Sequence, residues 1–203
     1  MKNKNKRYCK KISKRTKKII AISLFSLLCL CFVVVSLCRS LDQNNQDNYD
    51  KQEFITSIKP TSIQLNKKYH VPASIIMGQA ILESDYGTSD LATKYHNLFG
   101  VKAGVFERKV KLPTKEYRNG QWETVEENFK VYSSWQKSLE EHTKLLVDGT
   151  SWNHTQYQQV RQATNYRDAA VALENAGYAT DPHYAEKLIK VIEENDLAKY
   201  DIY

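Results

Sequence analysis

Glu83 closes a compact apolar run, Ile75-Ile76-Met77-Gly78-Gln79-Ala80-Ile81-Leu82, and is followed at once by Ser84-Asp85-Tyr86-Gly87. A carboxylate in that position is drawn two ways. The run favours the buried face of a helix, and burying an ionised Glu costs free energy unless something compensates it. The last turn of a helix also carries partial negative charge, which further disfavours the ionised form. Both effects raise a carboxyl pKa. A general acid that must hold its proton near neutral pH needs such an environment. From this stretch alone a solvated helix end is the better reading, so the weight of the assignment rests on the remainder of the chain.

Cleavage of a glycosidic bond commonly uses two carboxylates that flank the scissile oxygen. Asn119-Gly120 is a strong hairpin signal between residues rich in β-branched and aromatic types. The strands predicted beside it, Thr114–Arg118 and Gln121–Val125, carry Glu116 and Glu123, with Glu126 and Glu127 beyond. Alternation puts Glu116 and Arg118 on one face and Tyr117 on the other. Glu116 precedes the turn closely enough to project from the hairpin over a cleft, although a solvated face suits it equally. For Glu126-Glu127 the solvated face is the better reading.

Thirteen tyrosines add candidates for sugar contact, because Tyr and Trp combine an apolar face with a polar tip. Core filling explains most of them. Tyr86, Phe99, Trp122 and Tyr178 each lie beside a turn or loop and are expected near a cleft. The five histidines, at 70, 96, 142, 154 and 183, are scattered without zinc-ligand spacing such as His-Glu-x-x-His. No metal or organic cofactor is expected.

Helices must position these groups. Phe54, Ile55 and Ile58 predict a short helix, and Pro60 opens a second with Ile63 and Leu65 as its apolar residues. Val71-Pro72 starts the helix that carries Glu83. A small helix around Ser89–Thr93 precedes the loop from Tyr95 to Gly100. After the hairpin, Trp135–Val147 is predicted helical, with Leu139, Leu145 and Leu146 buried. Another helix runs from Tyr166 to Ala176, with Asn165 as N-cap and Gly177 as the stop. The last begins at Asp181-Pro182 and continues through Tyr184, Leu188, Val191 and Ile192 at helical spacing. The body is mainly α with one β-hairpin.

The net charge of +7 misleads when taken for the whole chain. Residues 1–18 hold ten Lys or Arg and no acid, and residues 40–203 hold 19 basic against 23 acidic residues. The body is mildly acidic, so nucleic acid is not an expected partner. Ile19–Cys38 is twenty residues long and uncharged, enough to span a hydrocarbon core. The lysines before it orient the N-terminus to the cytoplasm. A cleaved signal peptide is the rival, but Ser36-Leu37-Cys38 is a poor cleavage site. A signal anchor is therefore expected, giving a basic cytoplasmic segment (1–18), a transmembrane helix (19–38), a polar linker (39–52) and an exported catalytic domain (53–203). All four cysteines precede residue 39, so the body has neither a disulfide nor a Cys-based metal site. A monomer held to the membrane by its N-terminal helix is expected.

Five ordered blocks carry a resemblance to a known family. They are Gln79-Ala80-Ile81-Leu82-Glu83-Ser84-Asp85-Tyr86-Gly87-Thr88-Ser89, Asn97-Leu98-Phe99-Gly100-Val101-Lys102, Thr114-Lys115-Glu116-Tyr117, Phe129-Lys130-Val131-Tyr132 and Gly177-Tyr178-Ala179-Thr180-Asp181-Pro182-His183-Tyr184-Ala185. From about Phe54 to Ile192 the chain resembles the bacterial endo-β-N-acetylglucosaminidases, peptidoglycan hydrolases that include autolysins and the flagellar rod-assembly glucosaminidase. The resemblance implies a lysozyme-like, mostly helical fold with a small β-lobe. It implies cleavage of the β-1,4 bond on the reducing side of N-acetylglucosamine in peptidoglycan strands. Glu83 matches the family's catalytic acid, Glu116 its second carboxylate, and Tyr178 an active-site tyrosine. Asn97, Phe99 and Asp181 lie in the same motifs and are expected at the substrate with Tyr86 and Trp122, Asp181 being first a helix cap. The family often has Gly-Trp where this chain has Asp85-Tyr86, so Asp85 sets a second carboxylate beside Glu83. A lytic transglycosylase or muramidase on the same fold, and a non-catalytic wall-binding module, are the alternatives.

Overall fold

The computed structural model describes residues 46–48, 50–118 and 121–203, without the side chains of residues 115–118 and of Trp122. The expected basic segment, the apolar span and the Asn119-Gly120 turn lie outside the described residues. Among the described residues no helix is long and apolar enough to cross a membrane. The chain divides into two units, Met1–Asp50 and Lys51–Tyr203. In the first, the described residues 46–48 and 50 are helical within the stretch expected as a linker, and Gln46 Nε2 donates to Asp50 Oδ1 at 2.8 Å.

The second unit opens with helix α1, residues 51–69. The two short helices expected on either side of Pro60 are one. Pro60 and Thr56, whose carbonyl the proline cannot bond, both lie on the exposed face. Water can therefore satisfy what the ring leaves open, and the helix runs on. Its buried face is Phe54, Ile55, Ile58, Ser62, Leu65 and Asn66, recurring at helical period.

Helix α2, Ala73–Ser84, is buried on all sides from Ala73 to Ile81 and forms the centre of the unit. Pro72 supplies no side-chain cap. Asp201, far along the chain, takes that role. Its carboxylate accepts from the backbone N–H and the hydroxyl of Ser74, both at 2.7 Å, and sets negative charge at the helix N-terminus. At the other end the chain turns sharply. Asp85, Tyr86 and Gly87 all have positive φ, and Ser84 Oγ accepts the Gly87 N–H at 2.8 Å. A side chain at Gly87 would come within 2.6 Å of the Phe54 ring.

Helix α3, Asp90–Tyr95, is capped by the Ser89 side chain. Strands β1, Lys109–Arg118, and β2, Gln121–Lys130, pair antiparallel in a two-stranded sheet. Both are about twice as long as expected. The period-two signal is present in the extension: Val110 pairs with Phe129, Leu112 with Glu127 and Thr114 with Val125, all on the less exposed face. The interleaved lysines and Glu126 mask it from a hydrophobicity reading.

Helix α4, Trp135–Asp148, buries Ser138, Leu139, His142, Thr143 and Leu146. Leu145, expected inside, is exposed, and His142 occupies the buried stripe. Helix α5, Gln158–Gln162, was not foreseen from its polar sequence and contributes the buried Val160. Helix α6, Tyr166–Asn175, has Asn165 accepting from the Asp168 N–H, and the chain leaves at Gly177 with φ 71°. Helix α7, Tyr184–Glu194, begins later than expected, after a turn closed by Asp181. It packs on α2 at Gly78, where an added Cβ would stand 2.9 Å from Leu188 and 3.0 Å from Ile192. A short 3-10 turn, Leu197–Tyr200, follows.

Candidate active site

Glu83 sits in the last turn of α2, and the left-handed residues that follow stop the helix directly beyond it. Gln79 is one turn earlier on the same face, four residues before Glu83. Helix α7 brings in Tyr184, whose hydroxyl donates to Glu83 Oε1 at 3.2 Å and accepts from Gln79 Nε2 at 3.0 Å. Helix α4 brings in His142, whose Nε2 lies 3.0 Å from Gln79 Oε1. Phe99 stacks on the His142 ring with centroids 3.8 Å apart, and Tyr178 meets the same ring edge-on at 5.7 Å. Tyr178 also packs against Tyr184 at 5.3 Å and Tyr157 at 6.2 Å. Three helices and two loops thus converge on one carboxylate.

Glu83 keeps an exposed side, yet the groups packed around it withdraw enough water to raise its pKa above the usual carboxylate value. The Tyr184 hydrogen bond opposes that rise and is the smaller effect. Burial, followed by the nearby negative charge of Glu83, holds the Tyr184 hydroxyl protonated far above neutral pH. Tyr178 is raised for the same leading cause. Burial alone pulls His142 down to about 3, so the imidazole is neutral at physiological pH. The arrangement is a carboxyl that can hold a proton, set beside neutral hydrogen-bonding groups and aromatic faces. A concavity of about 540 Å³, lined by Arg108, Tyr132, Lys137 and Lys144 among others, includes none of these residues.

Of the expected site residues, Glu83, Tyr178 and Phe99 are brought together. Tyr86 is not in that group. Its ring packs edge-on to Phe54 at 6.4 Å, its hydroxyl pairs with Asn195, and Lys51 lies over its face, all of which brace the turn after α2. Asn97 is buried and its amide is used up inside the fold. Its Nδ2 donates to the Val101 and Lys130 carbonyls at 2.9 Å, and its Oδ1 accepts the Val101 N–H at 3.0 Å. It staples the loop to the base of β2. Asp181 accepts the His183 N–H at 3.0 Å and pairs with Lys187, which lowers its pKa. It closes the turn into α7. Asp85 stands in a left-handed position that favours Gly, Asn or Asp, which accounts for the chain's departure from Gly there. Tyr184 contributes to the environment of Glu83, and Asp85 is not among the causes of its shift.

Glu116 lies in β1 opposite Glu123, and Trp122 in β2 opposite Tyr117, but the side chains of both site candidates are outside the described residues. Gln79, His142 and Tyr184 were missed as site residues. Gln79 and Glu83 at i and i+4 were legible as one face. Nothing in the sequence could show that His142 and Tyr184 meet them.

The chain as a whole is similar to known proteins. Residues 59–197 match the glucosaminidase family, described as mannosyl-glycoprotein endo-beta-N-acetylglucosaminidase. The exo-glucosaminidase LytG of Bacillus subtilis is 40% identical over 198 residues, covering 95% of this chain and 69% of that protein. A probable N-acetylmuramidase of Lactococcus lactis subsp. cremoris is 34% identical over 153 residues, covering 74% of this chain and 35% of its own length. The catalytic domain of the autolysin Auto from Listeria monocytogenes superposes with a TM-score of 0.71 at 36% identity, covering 79% of this chain and 97% of that one. The chain belongs to the glucosaminidase family of peptidoglycan hydrolases, glycoside hydrolases on a mainly helical, lysozyme-like fold.

Proposed function

We propose that the chain hydrolyses the β-1,4 bond between N-acetylglucosamine and N-acetylmuramic acid within peptidoglycan strands, with Glu83 as general acid. The observation that carries this reading is the Glu83 carboxyl with its raised pKa, one oxygen engaged by Tyr184 and the other without a hydrogen bond among the described residues. Protonated Glu83 donates to the leaving oxygen as positive charge builds at the anomeric carbon. Glu116 then either acts as base on an attacking water, with inversion, or orients the substrate's 2-acetamido group, with retention. Tyr178 and Phe99 offer aromatic surface to the sugars. Residues 19–38 act as a signal anchor that keeps the enzyme at the outer face of the membrane. Partition of the full chain into the membrane fraction after alkaline extraction is the expected result for that anchor.

The sign of the pH dependence follows from the role. A general acid works while protonated, so activity is retained below the raised pKa of Glu83 and lost as pH rises through it. The decisive test is mass spectrometry of peptidoglycan digested with the full chain. New reducing N-acetylglucosamine ends at internal positions are expected. Reducing muramic ends would favour the second reading, which the name of the lactococcal relative motivates. Anhydro-muramyl ends would mark a lytic transglycosylase. Release from chain termini alone, as the name of LytG describes, would replace endo by exo cleavage. Glu83→Gln should slow the appearance of new ends of every kind by roughly 10²–10⁴-fold.

A further inference from the structure

The chain of hydrogen bonds behind Glu83 has a direction. Glu83 Oε1 faces the Tyr184 hydroxyl, that hydroxyl faces Gln79 Nε2, and Gln79 Oε1 faces His142 Nε2. Gln79 is fully buried and His142 nearly so, and each amide end of Gln79 has one partner along this chain. A glutamine has a donor end and an acceptor end, so the order of its two partners is a choice between two states. With the His142 proton on Nε2, the ring donates to Gln79 Oε1, and Gln79 must turn its NH2 to Tyr184. The tyrosine oxygen then accepts from Gln79 and from the Tyr178 hydroxyl, which also engages it, and its single proton is left for Glu83. With the proton on Nδ1 the order reverses. Gln79 would donate to the ring and take the Tyr184 proton with its carbonyl. Tyr184 would then have only a lone pair to offer Glu83.

We propose that His142, through Gln79, is a positioning residue that fixes Tyr184 as a hydrogen-bond donor to Glu83 Oε1 and so keeps the acid proton on Oε2, the oxygen that can face the glycosidic bond. This rests on the reading of Glu83 as the acid. A carboxyl whose Oε1 is claimed by a donor carries its own hydrogen on the other oxygen. In the reversed state Glu83 can give its proton to Tyr184, in the wrong direction. Charge does not compete with this effect. Among the described residues, the ionisable groups about Glu83 are Tyr184 on α7, Tyr178 after α6, His142 on α4 and Asp85 next in the chain. Burial keeps both tyrosines and the histidine neutral through the working pH range.

The first test needs no variant. Nitrogen-15 NMR of the full chain should show His142 neutral with its proton on Nε2; a proton on Nδ1 overturns the proposal. The second follows the titration of the Glu83 side-chain carboxyl by carbon-13 NMR. His142→Phe keeps a flat ring against Phe99 but frees the Gln79 carbonyl to compete for the Tyr184 proton, so the Glu83 midpoint should move upward. Adding Gln79→Met removes the competitor and leaves an apolar pair in place of a hydrogen-bonded one, a replacement that buried sites tolerate. The midpoint should return to the wild-type position. A purely structural role predicts that damage accumulates in the double variant, and that outcome, or an unmoved midpoint in His142→Phe, rejects the relay. Neither readout depends on turnover, so loss of the Glu83 assignment itself would be seen separately in the Glu83→Gln digestion.

Discussion

The helical cluster about Glu83 and the β-hairpin are built on opposite plans. Around Glu83, α2 is enclosed by α4, α6 and α7, and every polar group of the cluster has a partner that arrives from another element. The hairpin is a two-stranded ribbon whose outer face, Lys109, Lys111, Pro113, Glu126 and Asn128, is exposed. It is secured at its base. There Phe129 is buried, Asn97 holds the Lys130 carbonyl, and the Lys130 ammonium lies 2.5 Å from Glu107 and 2.7 Å from Glu141. A two-stranded ribbon is marginal by itself, so these base contacts hold the arm. The lesson is a division of labour. Glu83, the proposed acid, is held by packing, whereas Glu116, the proposed second carboxylate, rides on an arm whose placement depends on a few contacts at its base.

Variants can break that contrast, beginning with the largest effect. Glu83→Gln should lower the rate of glycan cleavage by roughly 10²–10⁴-fold, the usual worth of a positioned general acid, with melting unchanged; a smaller loss would move the acid elsewhere. Leu188→Ala, in the fully buried contact between α7 and α2, should cost about 2–5 kcal/mol in urea unfolding of the full chain. A pH series adds a third measure. His142 is pulled down to about 3 in the folded state and titrates near its ordinary value of about 6.5 when unfolded, so the stability associated with its neutral burial is complete above that ordinary value and is lost as pH falls towards 3. His142→Phe should flatten the acid side of the stability curve between those limits. At the hairpin, Lys130→Met should cost about 1 kcal/mol of stability but lower activity more than its melting shift explains, because it frees the arm and leaves the Glu83 cluster intact. Equal loss in both would mean that the arm is not separately anchored. Lys111→Ala, on the exposed face, should change stability by no more than about 0.5 kcal/mol.

Much of the frame was legible. Apolar spacing located α2, α4, α6 and α7, Asn165 capped as its type suggests, and Asn119-Gly120 fell between the two strands. The failures have specific causes. Pro60 reads as a helix start because local chemistry favours one, but its exposed face lets a long helix pass through. Leu145 reads as core by type, yet the face of α4 that meets α2 carries His142 instead. Tyr86 reads as a cleft residue because it adjoins a turn, and Asn97 as a substrate contact because it lies in a family motif; the fold also uses both to hold those segments in place.

The sequence by itself determined that Glu83 would end a buried helix, since an apolar run stopped by residues suited to left-handed turns leaves a carboxylate no other position. It also determined that a hairpin would follow and that the body would be mainly helical. Only the tertiary structure decided which groups Glu83 meets. His142 and Tyr184 lie 59 and 101 residues further along the chain. No local propensity relates them to α2, and only the packing of α4 and α7 on that helix brings their hydrogen-bonding atoms within reach. The proton-holding character of Glu83 depends on the same packing, because the water withdrawn from it is displaced by elements distant in sequence.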